Sequence, residues 1–323
     1  MLIGHSKQWK FLKNNFESDQ LSHAYLFAGE NQLGKKAFAK EFIKLINCPS
    51  AQAGLAKTDK PCQKCQNCQM IEKGNFPDLL MIENAEGELK IEKIRAAQNF
   101  LSYKSYYGSF KAVIINDAEK MNQEAQNCFL KTLEEPKGKT IIILISSRPE
   151  ALLSTIASRC QTIKFFLIDS KTIKNYLEKQ GAGSAKAEML SFVSEGKPGR
   201  AYDIFLNPDK IEKEKKLLKE ILKVIDSGLA EKFKYAKSLD PESQGLNEVL
   251  AVLTKYFRYL LFLKIGMELP KEQKYFIEPA LSFKNYTVQR IKKIINLIEY
   301  INRQISLTNA NQKLALEFLL IEI

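Results

Sequence analysis

Residues 24–47 constrain the fold more than any other stretch. Ala24–Ala28 (AYLFA) is an apolar run of strand length. It leads into Gly29-Glu30-Asn31-Gln32-Leu33-Gly34-Lys35-Lys36, a G-x-x-x-x-G-K-K turn. From Lys35 to Asn47 the apolar residues Phe38, Phe42, Ile43, Leu45 and Ile46 recur at helical spacing. A strand that enters a helix through a glycine-bounded turn is the setting of a P-loop. The glycines leave backbone N–H groups free to wrap a phosphate, and the lysine pairs with the β and γ oxygens.

The same alternation continues. Strands are expected at Leu79–Glu83, Ala112–Ile115, Thr140–Ile145 and Gln161–Phe166. Helices are expected at Ile91–Leu101 and Gln123–Leu133, the latter stopping before Pro136, with a short helical turn at Ser154–Ala157. Strands alternating with helices imply a parallel sheet covered on both faces. Beyond residue 167 the strand signal disappears. Short helices are expected over 170–180, 184–195 and 198–206, and longer amphipathic ones over about 210–238, 246–266, 272–281, 286–305 and 309–321. The expected organisation is an α/β nucleotide-binding-like domain (1–166) with a cysteine-bearing module at 48–70, a small helical lid (167–208) and an all-α C-terminal bundle (209–323).

The phosphate loop departs from a working one at two positions. Lys36 stands where a Ser or Thr hydroxyl would ligate Mg²⁺, and an ammonium repels that ion. The strand at 112–115 runs into Asn116-Asp117-Ala118-Glu119. An ATPase normally carries a metal-binding aspartate at this strand end. If Asn116 holds that place the charge is gone; if the register slips by one, Asp117 substitutes. Phosphoryl transfer leans on the metal to neutralise developing charge, so inefficient ATP hydrolysis is expected. Gly29, Gly34 and Lys35 leave nucleotide binding open.

Four of the six cysteines lie within 21 residues, as Cys48-x13-Cys62-x2-Cys65-x2-Cys68. The C-x2-C spacing lets two sulfurs reach one ion, and four thiolates with no open position suit a closed structural Zn²⁺ site. Cys128 and Cys160 sit in apolar contexts and read as buried small residues.

Hydrophobic residues make up 45% and charged residues 27%, the balance of an ordinary globular protein. No apolar run approaches a membrane span, and the N-terminal stretch has no secretory h-region, so a cytoplasmic location is expected. The net charge is +12, shared equally between residues 1–166 and 167–323. It suggests a polyanionic neighbour, met by a folded surface because there is no basic tail.

These residues resemble the AAA+ subunits of the bacterial replicative clamp loader. The resemblance runs from Ser22-His23-Ala24-Tyr25-Leu26-Phe27 through the P-loop and the cysteines. It continues in Lys131-Thr132-Leu133-Glu134-Glu135-Pro136, Ser158-Arg159-Cys160 and Gly196-Lys197-Pro198-Gly199-Arg200-Ala201. It covers about residues 1–205 by motif and the remainder by architecture alone. It implies that Arg159 reaches as an arginine finger into a neighbouring subunit's ATP site, and that Arg200 is the sensor 2 arginine of this chain's own degenerate site. Ser146-Ser147-Arg148 stands where sensor 1 lies, with Arg148 in place of an acidic residue. Lys36 and Asn116 resemble the delta-prime type, which often has a degraded P-loop, more than the hydrolysing tau/gamma type. The implied partners are tau/gamma-type and delta-type subunits, the sliding clamp and primed DNA, within the DNA polymerase III holoenzyme of the nucleoid-associated replisome. The implied C-terminal domain packs in a ring-like collar. The implied role is non-hydrolysing, so no ATPase activity is expected of the chain on its own.

Two other readings are carried: an active tau/gamma-type ATPase, and a zinc-bearing nucleic-acid binder unrelated to clamps. Tyr103–Lys111 interleaves basic and aromatic residues, either as a platform for single-stranded bases or as a helix end turning into a strand. Lys210–Lys216 reads as a solvated helix face, Tyr256–Phe262 as bundle core or subunit interface, and His23 as packing before the first strand.

Overall fold

The computed structural model describes residues 3–52, 60–83, 87–239, 245–267, 286–307 and 311–323. They form two compact units, Met1–Asp203 and Ile204–Ile323.

The first unit is built on five strands: β1 (Ala24–Ala28), β2 (Leu79–Ile82), β3 (Lys111–Ile115), β4 (Thr140–Ser146) and β5 (Gln161–Lys164). All pairings are parallel, in the order β2-β3-β4-β1-β5. β1, β3 and β4 are buried along their whole length, as sandwiched parallel strands must be, whereas β2 and β5 at the edges are partly open. Alternate residues serve opposite faces. Tyr25, Phe27, Ile114 and Ile143 pack with Trp9, Phe38 and Phe42 on one side. Leu26, Val113, Ile142 and Leu144 pack with Ile94, Phe129 and Ile156 on the other.

The covering helices are α1 (Ser6–Glu17), α2 (Lys35–Asn47), α3 (Pro49–Gln52), α4 (Gln66–Lys73), α5 (Ile91–Ser102), α6 (Gln123–Glu134) and α7 (Ser154–Ala157). Asn122 caps α6, its side chain accepting from Ala125 N at 2.9 Å. His23 Nε2 donates to Leu133 O at 2.8 Å and so ties the entry of β1 to the last turn of α6. After β5 come α8 (Ser170–Lys179), α9 (Ser184–Val193) and α10 (Pro198–Leu206).

The second unit holds α11 (Asp209–Ile225), α12 (Leu229–Ser238), α13 (Gly245–Lys264), α14 (Val288–Leu307) and α15 (Gln312–Glu322). The amphipathic stretch expected over 210–238 is two helices, broken at Asp226-Ser227-Gly228. Tyr256, Phe257, Tyr259 and Leu260 are buried, so this part of the aromatic segment is core of the unit. The helix expected over 272–281 lies outside the described residues. No helix among the described residues is long and apolar enough to cross a membrane.

Candidate functional site

The P-loop follows β1 at the carboxyl end of the sheet, where open α/β folds hold ligands. Gly34 enters α2 at φ +87°, a conformation that excludes a Cβ without strain. The loop is held by its own chain on several sides. Gly29 N donates to Ser146 O at 3.1 Å. His5 Nε2 donates to Leu33 O at 3.0 Å. Gly199 N, at the start of α10, donates to Gln32 O at 2.8 Å, and Lys197 pairs with Glu30 at 2.7 Å.

Lys35 is buried, and its ammonium donates to Gly29 O and, at 2.8 Å, to Glu30 O. Burial lowers it to about 8, against the opposing pull of Glu119, Asp117 and Glu30. Lys36 pairs with Glu83 at 2.6 Å, so the position of the missing hydroxyl carries an ion pair. Beyond β3, Asn116 N donates to Ile82 O at 2.9 Å. Asp117, at φ 52°, opens a 3-10 turn over Ala118–Lys120 and pairs with Lys120 at 3.3 Å.

Glu119 is the acid that sequence spacing missed. Its Oε1 accepts from Ser147 N at 3.0 Å and from Ser147 Oγ at 2.5 Å, joining the end of β3 to the end of β4. Burial pushes Glu119 up, but the bonds from Ser147 and Ser146 outweigh it and hold the carboxyl below its ordinary value. Its second oxygen is buried with no hydrogen-bond partner among the described residues. The adjacency of β3 and β4 brings this pair together, and no local pattern encodes it.

Arg200, near the start of α10, faces Glu195 at 3.8 Å and is largely buried. Arg159, just after α7, has different company. Its Nη1 donates to Thr155 O at 3.0 Å and its Nη2 to Glu134 Oε1 at 2.6 Å, on an exposed surface. The structure therefore gathers Gly29, Gly34 and Lys35 with Glu119 and the turn before α10, and gives Arg159 partners outside the loop.

The cysteines converge where α2 ends and α4 begins. The sulfurs of Cys48, Cys62, Cys65 and Cys68 all lie within 4.8 Å of one another. A tetrahedral zinc with Zn–S of about 2.3 Å needs sulfurs about 3.8 Å apart, so a small contraction completes the cage. Cys65 N donates to Cys62 Sγ at 3.3 Å and Cys68 N to Cys65 Sγ at 3.4 Å, bonds that stabilise thiolates. Burial pushes the Cys62 thiol up, but N–H bonds from Cys65 and Lys64 and the neighbouring thiols bring it down to about 6. Burial raises Cys65 and Cys68. The four cysteines can hold a metal ion. The buried Lys44, paired with Glu41 at 2.7 Å and Glu72 at 2.6 Å, pins α4 to α2 beside them.

A five-stranded parallel sheet with a glycine-bounded strand-to-helix turn at its carboxyl edge is the architecture of the P-loop class of α/β nucleotide-binding folds. A family model described as "DNA polymerase III, delta subunit" matches residues 4–168, half of the chain. The chain belongs to that family. The DNA polymerase III subunit delta' of Bacillus subtilis (strain 168) is 32% identical over 267 residues, covering 80% of this chain and 78% of that protein. The subunit delta' of Pseudomonas aeruginosa is 37% identical over 143 residues, 44% of this chain and 42% of that one. The tau/gamma subunit of Haemophilus influenzae is 36% identical over 166 residues, 51% of this chain and 23% of that protein. Among solved structures, a gamma subunit-related protein from Thermotoga maritima covers 97% of both chains at 22% identity with a TM-score of 0.46.

Proposed function

We propose that this chain serves as a delta-prime-type subunit of the DNA polymerase III clamp loader, in the bacterial cytoplasm, and helps place the sliding clamp on primed DNA. In this reading it works beside tau/gamma-type and delta-type subunits, residues 167–208 act as a lid, and 209–323 pack in the collar. Its own site does not hydrolyse ATP, and Arg159 acts in trans on a neighbour's nucleotide.

One observation carries the reading: the place where a P-loop hydroxyl would ligate Mg²⁺ is held by Lys36, whose ammonium repels the ion. Lys36 is bound to Glu83; at the end of β3, Asn116 would place an amide where a carboxylate is needed, and Asp117, the alternative, is paired with Lys120. Without the cation, Lys35 alone is left to offset the charge developing on the γ-phosphate. Arg159 supports the second half. A guanidinium stays charged at cellular pH and donates a planar fork suited to a γ-phosphate. An arginine supplied in trans speeds hydrolysis by about 10³–10⁵ in well-studied NTPases. The cysteine cage would hold Zn²⁺ as a structural cross-link between α2 and α4.

The test is reconstitution with the ATPase and clamp-opening partners, measuring clamp- and DNA-stimulated ATP hydrolysis with wild-type and Arg159→Ala chains. A silent isolated chain and a large loss on removing Arg159 are expected. Steady turnover by the chain alone, abolished by Lys35→Ala, would assign it to the motor subunits instead.

A further inference from the structure

We propose that the cleft at the amino-terminal edge of the sheet, where Lys111 begins β3 and Thr140 begins β4, binds a single strand of nucleic acid. Backbone phosphates would lie among Lys104, Lys111, Lys137 and Lys139, and bases would stack on Tyr103 and Tyr106. The cleft is on the opposite edge of the sheet from the P-loop and measures about 490 Å³.

Its charge is of one sign. Among the described residues none of these four lysines has an ion-pair partner, and no carboxylate lines the cleft. Glu135 lines an adjoining cleft with Lys137, and the Asp78 carboxylate behind the tyrosine loop is taken up by three backbone N–H groups. Lys111 is only 6% exposed. Its ammonium has the Lys104 carbonyl at 3.4 Å and the Phe100 and Tyr103 rings at 4.4 and 5.8 Å from their centres. A cation held at the cleft with no ion-pair partner among the described residues is placed to meet an anion that enters.

The aromatic half is presented by a braced loop. Asp78, fully buried, accepts from the N–H groups of Tyr106, Tyr107 and Gly108 at 2.7, 2.6 and 2.7 Å. Asn47 Oδ1 accepts from Phe110 N at 2.9 Å, and a Cβ on Gly108 would collide with that same oxygen. The backbone is thus committed inward while the rings point out: Tyr103 is 72% exposed and Tyr106 84%. Lysines tracking a backbone beside open aromatic faces are the two components of sequence-tolerant single-strand binding.

This binding is a property of the lone chain, so its failure would leave the loader reading untouched. The test is fluorescence anisotropy of the full chain with a labelled oligodeoxythymidylate of about 15 nucleotides, over a salt series. Tyr103→Ala with Tyr106→Ala should weaken binding by about thirtyfold or more with the salt slope nearly unchanged. Lys137→Ala with Lys139→Ala should lower the slope by about 1.4. Lys213→Ala with Lys216→Ala, removing the same charge from exposed positions on α11, should resemble wild type. All the substituted side chains are exposed, and melting curves would check that each variant is folded. The proposal is overturned if the cleft variants match wild type or the α11 control loses as much. It is equally overturned if inorganic phosphate or polyglutamate at matched ionic strength displaces the oligonucleotide as well as unlabelled strand does.

Discussion

Arg159 and Glu134 form an ion pair at 2.6 Å that joins the turn after α7 to the last residue of α6. Both side chains are well exposed, at 37% and 48%, so the pair is worth about 0–1 kcal/mol. Such a contact orients the guanidinium without committing it. Arg159→Ala should therefore shift the midpoint of urea denaturation of the isolated chain hardly at all, while the assembled complex loses most of its stimulated ATPase. A large destabilisation of the lone chain would make Arg159 a structural residue instead.

Removing the metal should loosen one corner of the molecule. Purified chain is expected to carry about one zinc per molecule by elemental analysis. Cys65→Ser should lose it and speed hydrogen exchange around the ends of α2 and α4, leaving β1, β3 and β4 protected. Full occupancy in Cys65→Ser would take that sulfur out of the cage.

Lys35 gives a pH dependence. In the unfolded chain a lysine titrates near 10.5, and in the fold burial brings Lys35 to about 8. Between these values the unfolded chain holds more protons, so this residue makes stability rise with pH from about 8 towards 10.5. Below about 8 both states are protonated and the penalty is constant. Urea denaturation of wild type and Lys35→Met at several pH values should show that rise in the wild type and a flatter curve in the variant. Parallel curves would mean Lys35 titrates normally.

Asp78 braces the tyrosine loop. Replacing it by Ala strips three N–H groups of a buried charged acceptor, and a loss of about 3 kcal/mol is expected in chemical denaturation. Amide exchange at Tyr106, Tyr107 and Gly108 should rise with it. Unchanged exchange there would show that the loop holds its shape without the carboxylate.

What the sequence determined by itself was local. The apolar run Ala24–Ala28, the glycines of the turn and the spacing from Phe38 to Ile46 each act within a few residues, and they suffice to place β1, the P-loop and α2. The strands near 79, 112, 140 and 161 were legible for the same reason, with ends within one or two residues. The C-x2-C spacing was legible because both sulfurs lie in one short turn. Even the break at 226–228 was locally visible, in Asp-Ser-Gly, but the amphipathic period masked it.

The tertiary structure decided which distant groups meet. Glu119 finds Ser147 because β3 and β4 are neighbours in the sheet order. Glu134 finds Arg159 because α6 and α7 share a face of the sheet. Asp78, just before β2, finds the N–H groups preceding β3 because those strands pair. None of these partners is within 20 residues of the other, so no period or turn rule can relate them. Strand order, set by burial of both faces of the sheet, supplied the pairings, and the same packing left Lys111 beside lysines and rings with no ion-pair partner among the described residues.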